Sequence, residues 1–157
     1  MTERSQSDST PPSARTVLGR QLSDAAGQEH ALVLQTCKQC QTVQYPPREV
    51  CRECLGDNLA WEPVDVHGTV MASVELQHSL NDFFLEKLPW LIGSIKLDCG
   101  PVVMVHMANT LDKNGLKVNV FAHADASGAA VLVAVSEATE IATAPQRIKQ
   151  MQALDLI

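Results

Sequence analysis

The spacing of hydrophobic positions changes character several times along the chain. Between residues 14 and 28, Val17, Leu18, Leu22 and Ala25 recur at steps that place them on one side of an α-helix, with Ser13 or Thr16 available as a cap. A helix this short is marginal alone in water, so its apolar stripe needs a surface to lie on. From residue 31 the pattern becomes that of strands: Ala31–Thr36, Gln41–Tyr45 and Leu59–Val64, with turns at Cys37–Cys40 and Cys51–Cys54 and a stop at Pro46 and Pro47. Five further runs rich in Val, Ile and Leu follow: Thr69–Gln77, Leu91–Leu97, Val102–Met107, Leu116–His123 and Ala130–Ser136. Asp98-Cys99-Gly100-Pro101 and Lys113-Asn114-Gly115 supply turn chemistry between them, and Ser127-Gly128 breaks the chain before the last. A helical period returns at the end, where Ile148, Met151 and Leu154 lie within Ala144–Leu156 and Pro145 occupies the first turn.

These segments predict a mainly β protein in four parts. Residues 1–30 hold a polar tail and the N-terminal helix, 31–64 a small antiparallel ribbon, 65–140 a five-stranded barrel and 141–157 a C-terminal helical tail. The five-stranded OB-fold has the right strand count, although the count alone also fits an SH3-like barrel or a sandwich. One connection departs from the usual polarity of loops. Ser79–Pro89 (SLNDFFLEKLP) carries Phe83, Phe84, Leu85 and Leu88. An apolar cluster in a connection marks a contact surface, so these four residues are candidates for docking on a partner. The competing reading is a short helix, capped by Asn81 or Asp82, packed on the chain's own barrel.

Composition narrows the function. The formal net charge is −6, which argues against a dedicated nucleic-acid binder with a basic face. Arg48 and Arg52 are interleaved with Glu49 and Glu53, and the few aromatics do not line up as a stacking platform. No stretch has the length and apolarity of a membrane span, and the first thirty residues lack the apolar run of an export signal. With free thiols in view, the expected compartment is the reducing cytoplasm.

Four of the five cysteines carry the strongest signal. Cys37 and Cys40 are separated by two residues, ten residues follow, and Cys51 and Cys54 repeat the first spacing. Each pair can turn both sulfurs toward one point, and two such knuckles supply the four thiolates that tetrahedral zinc prefers. No ligand position is left for water, so the site is expected to be structural, one zinc per chain, with iron of the rubredoxin kind left open by the spacing. Cys99 stands apart and reads as a small buried hydrophobe. No P-loop, GxSxG elbow, GxGxxG or HExxH is present, and His106 and His123 sit in strands without an obvious catalytic neighbour. The chain is therefore expected not to be an enzyme on its own.

Cys37-Lys38-Gln39-Cys40, Tyr45-Pro46-Pro47-Arg48, Cys51-Arg52-Glu53-Cys54, Trp61 and His67-Gly68-Thr69-Val70, in this order, resemble the zinc-ribbon/OB-fold proteins associated with acyl-CoA enzymes, formerly the domain of unknown function DUF35. Pro89-Trp90-Leu91-Ile92-Gly93 and the turn Leu97–Pro101 fit the same pattern, and the resemblance runs over about residues 30–136. It implies a rubredoxin-like ribbon followed by an OB-fold. It also implies a noncatalytic subunit of a hetero-oligomer, beside a thiolase or thiolase-like acyltransferase that holds the catalytic residues. Alternatives are a hydratase or aldolase acting on CoA thioesters as the partner, or a ribbon/OB-fold nucleic-acid binder. In that setting Arg48 is a candidate contact to the partner or to a CoA phosphate. The helical tail from residue 144 departs from relatives that stop soon after the barrel.

Overall fold

In the computed structural model the described residues are 11–12, 14–26, 32–107, 113–125 and 127–137. The expected C-terminal helix at 144–156 and most of the polar N-terminal tail lie outside them. The first element is α1 (Val17–Ala26). Its first turn is capped by Thr16, whose Oγ1 accepts from the Gly19 amide at 3.1 Å.

A three-stranded antiparallel sheet follows, built from β1 (Val33–Cys37), β2 (Val43–Gln44) and β3 (Leu59–Pro63) in the order β2-β1-β3. The expected strands are each present, but β2 shrinks to two residues because the knuckle at one end and the Pro46-Pro47 stop at the other leave little room between them. The chain then enters β4 (His67–Leu76), a short helix α2 (Asp82–Leu85), β5 (Trp90–Leu97), β6 (Val102–Met107), β7 (Lys117–Ala124) and β8 (Ala130–Ser136). The five barrel strands close in the order β4-β5-β6-β8-β7, with β7 returning to β4 and β6 running parallel to β8. This is the closed five-stranded arrangement of the OB type. The turn at Gly100 is made as expected, with Gly100 at φ 128°, where a side chain would be strained. The β7–β8 turn is held by a residue the sequence reading passed over: the Asp125 carboxylate accepts from the Ser127 amide at 2.8 Å and the Ala129 amide at 3.1 Å.

Alternation along the strands decides what fills the barrel. Val70, Ile95, Leu97, Val103, Val105, Met107, Val118, Val120, Leu132 and Ala134 form one buried cluster. Gly93 belongs to the same packing: a Cβ added there would lie 2.0 Å from the Met107 sulfur and 3.1 Å from the Ala72 carbonyl. The Met107 thioether thus occupies the space a side chain at Gly93 would need. Leu32 and Leu34, at the start of the ribbon, are part of this same cluster. Ribbon and barrel therefore share one core, and the stripe of α1 joins it through Leu22.

A second, smaller cluster lies on the outer wall. Trp90 and Val133 are its buried centre, with Phe84, Leu88, Ile92 and Val131 against them. The segment 79–89 is thus not an open loop. Asn81 caps α2 by accepting from the Phe83 amide at 3.1 Å, Phe83 is buried, and Phe84 rests on the barrel. The local cap and the apolar wall supplied by β5 and β8 together fold it.

Candidate metal centre

Both knuckles repeat one backbone device. In the first, the Cys37 amide donates to the Thr42 carbonyl and the Gln41 amide donates back to the Cys37 carbonyl, each at 2.9 Å. In the second, the Cys51 amide donates to the Gly56 carbonyl at 2.8 Å and the Leu55 amide to the Cys51 carbonyl at 3.0 Å. To close so tightly, each knuckle sends the residue after its second cysteine into the left-handed region: Gln41 at φ 62° and Leu55 at φ 61°. The result brings all four Sγ atoms within 4.8 Å of one another. Cys37 and Cys54 approach to 3.6 Å, Cys40 and Cys51 to 3.5 Å. Zinc bonded to thiolates at about 2.3 Å in a tetrahedron needs sulfurs about 3.8 Å apart. The tetrad therefore fits one zinc ion in size and in chemistry, with Cys37 and Cys51 buried and Cys40 and Cys54 toward solvent.

The thiols also show what a cation has to offset. The hydroxyl and backbone of Thr42 draw the Cys40 thiol down to about 6. Cys54 goes the other way, pushed up to about 12: a hydrogen bond from Gly56 favours its thiolate, but lost solvation and the three neighbouring sulfurs outweigh it. Sulfurs this close resist a fourth negative charge unless a positive ion sits among them. Zinc would supply that charge and fix the geometry of both knuckles; its bound form gives the ribbon the folding energy that so small a module lacks.

The approach to the second knuckle is set by a pair of buried amides that sequence reading missed. Gln35 and Gln44 stand opposite each other on β1 and β2 and are almost fully buried. Gln44 Nε2 donates to Gln35 Oε1 at 3.0 Å; Gln35 Oε1 also accepts from the Arg48 amide at 2.8 Å, and Gln44 Oε1 from the Arg52 amide at 3.1 Å. Two side chains thereby satisfy backbone donors on both sides of residues 48–52 and seat Cys51. Glutamine in a strand gives no sequence signal for this; only the facing register does.

The other candidates are distributed as follows. The Arg48 backbone is pinned by Gln35, and its exposed guanidinium makes no ion pair among the described residues, whereas Arg52 pairs with Glu53 at 3.3 Å. Phe84 and Leu88 turn toward the barrel and Phe83 is buried edge-on against Phe84, while Leu85 is 47% exposed and Leu80 97%. Cys99 is half-buried, its thiol raised by burial. His67, at the mouth of β4, pairs with Asp65, whose carboxylate raises the imidazole. His106 accepts from Trp90 instead of facing a nucleophile. Among the described residues no helix is long and apolar enough to cross a membrane.

Residues 24–60 match the family model described as the ChsH2 rubredoxin-like zinc ribbon domain. Among solved structures, the chain is similar to one described as the Ltp2-ChsH2(DUF35) aldolase, at 21% identity and a TM-score of 0.64, over 79% of this chain and 97% of that one. No curated protein sequence matches it. The thiol tetrad, the ribbon match and the closed five-stranded barrel agree: the chain carries a rubredoxin-like zinc ribbon of the ChsH2 type and shares the ribbon-and-barrel fold of that DUF35 structure.

Proposed function

We propose that this protein is a noncatalytic accessory subunit of an acyl-CoA-processing complex. The observation that carries the reading is the ChsH2-type ribbon fused through a shared core to an OB-type barrel, in a chain whose only dense cluster of reactive groups among the described residues is a closed metal site. A four-thiolate site has no open position for substrate, so chemistry falls to a partner. The subunit's part is to stabilise that partner and shape access for the acyl or CoA portion. We take the partner to be a thiolase or thiolase-like acyltransferase. An aldolase acting on CoA thioesters is the second reading, favoured by the solved structure whose description names an aldolase.

On this reading the outward residues meet the partner. Leu80 and Leu85 are exposed on the α2 segment, with Phe83 and Phe84 holding it in shape from beneath. Arg48, fixed at its backbone and without an ion pair among the described residues, reaches the partner or a CoA phosphate. We place the complex in the cytoplasm, where the thiols stay reduced. The test is coexpression with candidate thiolase-like and aldolase subunits, followed by copurification and mass measurement. A stable hetero-oligomer whose catalytic subunit loses activity without this chain supports the reading. A chain that elutes alone from both classes, while each partner is fully active without it, overturns it.

A further inference from the structure

The segment between β4 and β5 is a strap laid over the outer barrel wall, and its attachment runs through one titratable ring. Phe84 meets Trp90 edge-on, with ring centroids 5.6 Å apart at 67°, and stacks on His106 at 6.3 Å and 19°. Trp90 Nε1 donates to His106 Nδ1 at 2.9 Å. Nδ1 must therefore be bare, which puts the imidazole proton on Nε2. Beneath the three rings lies Val133, with no exposed surface, flanked by Ile92, Val131 and Leu88.

We propose that His106 is a protonation-sensitive pin that fastens residues 79–89 to the barrel at neutral pH and releases them in mild acid, baring the apolar wall of β5, β6 and β8. An imidazolium carries N–H groups on both nitrogens, so Nδ1 would confront the Trp90 N–H donor to donor. The cation would also be held under Phe84 and beside Val133, where it is only partly open to water. Little charge is at hand to soften this. The facing positions are Trp90 and Ile92 on β5, Val131 and Val133 on β8, and Met104 on β6. On β7, His123 lies opposite Val131. On the strap, Asp82, Glu86 and Lys87 are the charged groups, and Lys87 Nζ sits 5.0 Å over the Phe83 ring. Asp125, at the β7–β8 turn, favours the cation through space, but burial prevails and holds His106 below its ordinary value. Release of the strap is then the route by which a protonated His106 gains fuller access to water.

The experiment is hydrogen exchange of the strap peptide in the zinc-loaded chain, from about pH 7.5 to about pH 5.5, corrected for intrinsic rates, with metal content followed at each point. Strap protection should fall by up to about tenfold per pH unit once the pH is below the His106 pKa. In His106→Gln the side-chain carbonyl can accept from Trp90 and takes up no proton, so protection should stay level. In Trp90→Phe the imidazole loses its donor, so the transition should move to higher pH. A level wild-type curve overturns the proposal. So does a His106→Gln curve matching wild type, which would assign the change to the carboxylates. Should His106→Gln not fold, an unchanged midpoint in Trp90→Phe overturns it.

Discussion

Removing the metal should weaken the barrel as well as the ribbon, because Leu32 and Leu34 are fully buried in the core they share. Cys51→Ser, or a strong chelator on the wild type, takes away the ligand set that holds β1 in place. If β1 then frays, two leucine side chains leave the barrel core, at about 1.5–3 kcal/mol each, or about 3–6 kcal/mol together. At a urea slope of about 2 kcal/mol per molar, the barrel's midpoint should fall by about 2 M. The two tryptophans separate the modules: Trp61 lies on β3 of the ribbon and Trp90 on β5 of the barrel. Urea titrations of Trp61→Phe and Trp90→Phe variants, with and without zinc, read each in turn. The expected outcome is a large drop in the Trp90 midpoint on metal loss. A Trp90 transition that stays put while the Trp61 signal collapses would refute the shared-core argument and make the ribbon an independent appendage.

Other outcomes follow from single contacts. Metal analysis should find one zinc per chain, lost in Cys51→Ser; protein holding neither zinc nor iron would contradict the tetrad. Gln44→Leu leaves the Arg52 amide and part of Gln35 without partners and should cost about 1–3 kcal/mol in urea unfolding, with weaker zinc retention in competition with a chelator. Gly93→Ala forces the Met107 sulfur aside and should cost about 1–3 kcal/mol, while the same change in a Met107→Ala background should cost much less, as a double-mutant cycle would measure. Because burial lowers the His106 pKa, its contribution to stability is full above the ordinary imidazole value near 6.5 and is lost as the pH falls through the lower folded value; wild type should therefore lose more stability on mild acidification than His106→Gln.

How much of this could be read from the chain depended on the range of the forces involved. Local signals were legible. The paired cysteines announced the metal site, and the alternating Val, Ile and Leu runs announced all five barrel strands, with Val102–Met107 and Ala130–Ser136 matching residue for residue. The start of α1 was also local, through the Thr16 hydroxyl. What could not be read arises from residues distant in sequence. Gln35 and Gln44 matter only because the register sets them face to face across buried space. The α2 segment is ambiguous alone, since its four apolar residues suit either a partner or the chain itself; Trp90 and Val133 decide that Phe84 turns inward. His106 gains its surroundings from a strand, a strap and a tryptophan sixteen residues away.

The filling of the barrel bears on what the protein can recognise. With Met107 lying across Gly93 and Val103, Val120 and Ala134 showing no exposed surface, the inside is a solid plug and not a vessel. A fatty chain, a sterol side chain or an aromatic acid has no route into it. On the proposed function, any selectivity for such groups has to be written on the exterior, in the rims, the strap and the ribbon. That is where sequence can change without disturbing the packing, so one stable plug can carry many different recognition surfaces.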